Sequence, residues 1–143
     1  MRRLPLIFLA LTGALAVSGV QALTLPAGKW ALDLEVTSPD TPAPVQQHSE
    51  ECYAEDLTLD PISILEQDGM NRFCEITPTT DNASEFIADI ACDLGADTSG
   101  QGSLRMTLNG DQTTSDMQMT MNMGGHIVEF SSKSTGRRVG ACE

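Results

Sequence analysis

The sequence predicts an all-β domain: an antiparallel meander of about seven strands that forms a curved sheet or small barrel, with one short helical segment and two disulfides. Three observations lead there. Apolar residues recur at every second position over most of the chain, the period of strands with one buried face. The runs are joined by turn-like segments rather than by helical stretches, which disfavours a parallel α/β sheet. Finally, the stretch from Cys74 to Cys92, CEITPTTDNASEFIADIAC, folds onto itself in register as a hairpin closed by its own disulfide.

In that hairpin Cys74 and Ile76 alternate with Glu75 and Thr77, while Phe86, Ala88, Ile90 and Cys92 alternate with Ile87, Asp89 and Ala91. Setting Cys74 opposite Cys92 brings Ile76 against Ile90, Pro78 against Ala88 and Thr80 against Phe86, with Asp81–Glu85 as the turn. Opposed antiparallel residues have Cα atoms about 4.5–5.5 Å apart, within disulfide reach. The chain has four cysteines, and once Cys74 is paired with Cys92, Cys52 is left for Cys142. By the chain-entropy account the short bridge stabilises by about 3 kcal/mol and the long one by between about 4 and 5. The long bridge ties the last residues to the first half of the chain.

At the N-terminus Arg2 and Arg3 precede an apolar run from Leu4 to Val20 that ends Val20-Gln21-Ala22, the pattern of a secretory signal over residues 1–22. The run is short for a membrane span, and no second apolar stretch follows. A single disulfide-stapled domain over residues 23–143 is expected, periplasmic or secreted, with no membrane span after signal cleavage. An even cysteine count without CxxC fits an exported disulfide framework better than zinc or thioredoxin-like chemistry.

Taken in order, a long half-buried strand is expected between Thr24 and Thr37, where Trp30, Leu32, Leu34 and Val36 alternate with polar positions and Trp30 belongs to the core. Ser38–Pro44 is a loop, because its prolines donate no ladder hydrogen bond. Val45–Cys52 reads as a second strand, polar apart from Val45, whose polar face with His48 and Glu50 suggests an edge or an open surface. Irregularly spaced Leu57, Leu59, Ile62, Ile64 and Leu65, with Pro61 among them, predict one or two short helical turns, and Glu55, Asp56 and Asp60 favour a helix N-terminus. After the disulfide hairpin, Gly95–Gly102 reads as a flexible connection. Leu104, Met106 and Leu108 form the next strand, followed by a turn through Gly110. Met117, Met119, Met121 and Met123 then alternate up to a Gly124-Gly125 hairpin turn. That turn sets Met123 opposite His126, Met121 opposite Val128 and Met119 opposite Phe130. The last strand is expected over Ile127–Thr135, before Gly136-Arg137-Arg138.

The formal charge is −12, and removal of Arg2 and Arg3 with the signal makes it −14. Nucleic acid and anionic lipid are therefore poor partners. The plain reading is a solvated acidic surface; the sharper one is a cationic partner, a basic protein or a polyamine. Catalytic signatures are missing: the sequence has no GxSxG, no HExxH and no phosphate-binding glycine loop, and only His48 and His126 supply imidazoles. The chain is read as a non-enzymatic binding or accessory module that needs no cofactor. The alternative is a periplasmic Cu(I) or Ag(I) binder. Thioethers are soft ligands, and Met121, Met123 and His126 converge at the predicted hairpin tip. Methionine is also an adaptable core filler, so ordinary packing competes with that reading.

Gly28-x-Trp30, Cys52 followed by an acidic segment, Cys74 with Cys92, and the ending Arg138-x-Gly140-x-Cys142 together resemble the bacterial exported family catalogued as domain of unknown function 3617. The resemblance spans essentially all of the chain after the signal. One departure is Tyr53-Ala54, where the family usually has Leu-Thr after its first cysteine. The resemblance implies a small exported proteobacterial protein and brings with it no activity, cofactor or catalytic residue.

Overall fold

The computed structural model describes residues 22–67, 69 and 72–143. Residues 1–21 of the expected signal lie outside the described residues. Nine strands and one helix follow in order: β1 (Leu23–Leu25), β2 (Gly28–Thr37), β3 (Val45–Tyr53), β4 (Leu57–Leu59), α1 (Pro61–Gln67), β5 (Cys74–Asp81), β6 (Glu85–Gly95), β7 (Thr98–Asn109), β8 (Gln112–Met123) and β9 (His126–Gly140). Seven of them form one antiparallel sheet in the order β3-β2-β9-β8-β7-β6-β5, and β1 pairs with β4 in a separate two-stranded sheet. The meander from β5 to β9 is continuous. The β2–β3 hairpin joins it through the pairing of β2 with β9, so β3 and β5 are the edge strands among the described residues. The sheet is open and not a closed barrel.

Several expectations are corrected. The strand expected over Thr24–Thr37 is two strands, because Pro26 interrupts the ladder and Gly28 takes a φ of 140°. Leu23 and Leu25 turn to Leu59 and Leu57 instead. In the disulfide hairpin the register holds from Cys74 to Pro78, but a bulge at Thr79 then sets Thr80 against Ile87 and Asp81 against Phe86. The turn shortens to 82–84, where the Asn82 Oδ1 accepts from the Ser84 and Glu85 amides, both at 3.0 Å. Gly95–Gly102 is no flexible connection: β6 and β7 meet in a two-residue turn at Ala96-Asp97, with φ of 49° and 62°. The last strand runs beyond Thr135 to Gly140, because Lys29–Thr37 of β2 pairs along it.

The helical excursion is one helix with Pro61 as its first residue, where the missing N–H is not needed. Asp60 caps it, accepting from the Ser63 amide at 3.2 Å. Both disulfides form as paired from the sequence. Cys74–Cys92 joins neighbours in register with Cα atoms 3.9 Å apart, and Cys52–Cys142 joins the end of β3 to the segment after β9 at 5.7 Å.

Register partners share a sheet face, so one face can be followed across the whole sheet. It carries Cys74 and Ile76 on β5, Phe86, Ala88, Ile90 and Cys92 on β6, and Gly100, Gly102 and Leu104 on β7. It continues through the four methionines of β8, Val128 and Phe130 of β9, and Trp30, Leu32, Leu34 and Val36 of β2. The opposite face is polar. The core lies over only part of the inner face: Leu23 packs with Phe86, Ala88, Ile90, Cys92 and Leu104, and Leu59 and Ile62 lie against them. Thus β1, β4 and α1 cover the β5–β8 half.

Two tests follow. Replacing Cys52 and Cys142 by serine should loosen the end of β3 and residues 141–143 but leave β9 protected between its two neighbours. Limited proteolysis with mass mapping checks this, together with a stability loss of about 4 kcal/mol against about 3 for the Cys74, Cys92 pair. Ala96→Asn should raise stability by roughly 0.5–1 kcal/mol in denaturant unfolding, since asparagine tolerates the left-handed backbone better.

Candidate functional site

The inner face beyond the covered core is the first candidate. β8 sets Met117, Met119, Met121 and Met123 in one row because strand side chains alternate faces. Their surroundings change along the row. Met117 and Met119 pack against the core cluster, Met121 is half-buried, and Met123 is 51% exposed. Two glycines of β7 create the space for this row. Gly100 lies opposite Met121 and Gly102 opposite Met119, and a Cβ on either glycine would collide with the facing methionine sulfur. The thioethers of Met119 and Met121 therefore lie in notches of the neighbouring strand, a close-packed arrangement.

Met121, Met123 and His126, the residues expected at the hairpin tip, do share one end of one face. Met123 is opposite His126 and Met121 opposite Val128 across Gly124-Gly125, whose φ values are 60° and 93°. Met123 and His126 are both exposed. Met121 is turned towards Gly100 on the other neighbour, so the exposed soft-ligand pair is Met123 with His126. The tip is also tied to the β6–β7 turn, where the Gly124 amide donates to the Asp97 carbonyl at 3.0 Å.

Beyond this row the inner face carries apolar residues set among Ser132, Ser134 and Gln47, and no element of the described residues covers them. Phe130, Val128 and Val36 are half-buried, Leu34 is 37% exposed and Val45 55%. Sequence periodicity places these residues on one face but does not reveal that β1, β4 and α1 cover only half of it.

His48 illustrates the polar face. Its Nδ1 stands 2.7 Å from the Asp33 carboxylate, directly opposite on β2, and both side chains are more than half exposed. The hairpin register would have revealed this pair, and the sequence reading missed it. On the far side of Asp33, β9 contributes Thr135. A nucleophile would have to stand beside the imidazole, and the threonine instead flanks the carboxylate. Other outer-face pairs are Lys29–Glu50 at 2.7 Å on the same hairpin and Arg105–Glu85 at 2.6 Å between β7 and β6. The Lys29 ammonium holds the Glu50 carboxyl below its ordinary range, chiefly through their hydrogen bond.

Apart from Cys74 and Cys92, which join β5 to β6, the residues that carried the resemblance lie around one corner. Trp30 is fully buried, and its Nε1 donates to the Pro26 carbonyl at 3.0 Å. Arg138, its register partner, donates from Nε to the Ala27 carbonyl at 2.7 Å, and the Ala27 amide donates to Asp56 at 2.8 Å. A side chain on Gly28 would lie 2.5 Å from the Arg138 Nε and 2.6 Å from the Gly140 carbonyl. The motif thus builds the β1–β2 turn onto the end of β9.

Gly100→Ala should displace the Met121 sulfur and destabilise by about 1–3 kcal/mol, measured by chemical unfolding; the Gly100→Ala, Met121→Ala pair should lose less than the sum of the single changes.

The chain matches a family described as a protein of unknown function (DUF3617) over residues 25–142. No curated protein and no solved structure matches. The matched span runs from the end of β1 through the Trp30–Arg138 corner and all four cysteines, and the chain belongs to this family.

Proposed function

We propose that the protein is a non-enzymatic binding or accessory module of the periplasm or cell envelope, working through the uncovered half of its inner sheet face. One observation carries the reading: Leu34, Val36, Val45, Met121, Met123, Val128 and Phe130 share a face that no element of the described residues covers. Large apolar patches on otherwise polar proteins mark interaction surfaces, and methionine adapts to partners of varied shape. Export is supported by the signal-like start and by two disulfides, which persist in oxidising compartments. The non-enzymatic reading is supported by the order His48–Asp33–Thr135, which puts no nucleophile beside the imidazole.

The test is binding of a polarity-sensitive apolar dye, N-phenyl-1-naphthylamine, to the oxidised protein. Emission should rise on binding, and Phe130→Ser should weaken affinity by roughly tenfold, the equivalent of about 1.4 kcal/mol. No emission change with the native protein would remove the reading.

A second reading is supported by the exposed pairing of Met123 with His126: a Cu(I) or Ag(I) site at the hairpin tip, which Met121 joins as third ligand only by turning out of the Gly100 notch. Titration with Ag(I) should show binding that a Met123→Leu, His126→Ala variant loses. No binding, or equal binding by both proteins, counts against it.

A further inference from the structure

The two edges of the sheet are not equivalent. β5 carries two features that discourage strand addition: Pro78, which has no amide hydrogen, and the bulge between Pro78 and Thr80. β3 has neither. Its nine residues, Val45–Tyr53, contain no proline or glycine and pair with β2 without a register shift, from Val36 opposite Val45 to Gly28 opposite Tyr53. Its outer side has no strand partner among the described residues. Alternate amides and carbonyls along it therefore face outward as a straight template.

We propose that this edge of β3 docks an extended, basic polypeptide segment, which adds to the sheet as an eighth strand. The template is held in place at one end, because the Cys52–Cys142 bridge anchors β3 beyond its hairpin with β2. A fixed edge costs less ordering on binding than a frayed one. Charge selects the partner. Between Gly28 and Asp56 the chain has seven carboxylates and one lysine. Lys29 is engaged by Glu50 at 2.7 Å, leaving the exposed Glu51 with no cationic partner among the described residues.

Glu51 shares the inner-face side of β3 with Val45, six residues away. An antiparallel segment would meet them in reverse order. It therefore needs a lysine or arginine facing Glu51 and an apolar residue six positions later, where it extends the uncovered apolar face past Val45. A second copy fits poorly, since it brings the same acidic strand and a further formal charge of −12. This site is independent of what the inner face itself binds. Main-chain pairing supplies affinity in such recognition, and the alternating side chains supply selectivity.

The probe is a synthetic nonapeptide, Thr-Lys-Thr-Val-Thr-Val-Thr-Val-Thr, beside the same peptide N-methylated at alternate residues, added to the oxidised full chain. Its lysine and its last valine have the required spacing. Binding should protect the alternate, outward-facing amides within residues 46–52 from hydrogen exchange. N-methylation, which keeps the charge but removes backbone donors, should weaken binding roughly tenfold or more. Glu51→Lys should weaken the unmodified peptide severalfold, and raised salt should do the same. Equal binding of the two peptides, protection elsewhere than β3, no binding, or pairing of β3 with a second copy in its place would each overturn the proposal.

Discussion

The antiparallel pairing of β2 with β9 sets Lys29 opposite Gly140 and Thr37 opposite Ser131, joining the beginning of the folded chain to its end. Every other strand pair in the large sheet is a hairpin between consecutive strands. Closing so long a loop costs conformational entropy that nearby contacts must offset. Three devices gather at that junction: the buried Trp30, the Arg138 hydrogen bond to the Ala27 carbonyl, and the Cys52–Cys142 bridge. The bridge acts on the unfolded state, by shortening the loop before the pairing forms. Such non-local pairing makes for slow folding, and an oxidised Cys52–Cys142 shortens the search.

That junction also determines which part of the inner face is exposed. Because β2 and β3 attach beyond β9, the sheet is wider than the β1–β4–α1 layer can cover. Leu23 seals the side around Phe86 and Ile90, whereas Leu34 and Val45 stand on the uncovered side. The methionine row crosses from one regime to the other. Its inner members settle against Gly100 and Gly102, and its outer member reaches solvent beside His126. A single strand thereby serves as core at one end and as surface at the other.

Much of the architecture was legible because its signals are local. The alternation around Cys74 and Cys92 specified a hairpin and its disulfide, and Gly124-Gly125 specified a turn whose flanking pairs are as read. The β6–β7 turn was not legible: its positive φ values fall on Ala96-Asp97, a dipeptide with weak turn signal, while Gly100 and Gly102 next to it suggested a loop. Those glycines belong to a strand because Met121 and Met119 need their missing side chains, a requirement set by a neighbour. The Thr79 bulge likewise left no local mark. Of the candidate site, the shared face of Met121, Met123 and His126 could be read from periodicity and turn chemistry. The degree of exposure along it could not, since it depends on where Leu23, Leu59 and Ile62 lie after folding.

The central claim is that, among the described residues, this inner face is covered over β5–β8 and, apart from the buried Trp30 corner, uncovered beyond β8, with the methionine row crossing the boundary. Oxidation footprinting tests it most directly: brief exposure of the native, disulfide-intact protein to hydrogen peroxide, with sulfoxide formation followed by mass spectrometry at each methionine. Rates should fall from Met123 to Met121 and be lowest at Met119 and Met117, converging only when the protein is unfolded. Equal rates along the row in the native state, or faster oxidation of Met119 than of Met123, would contradict it.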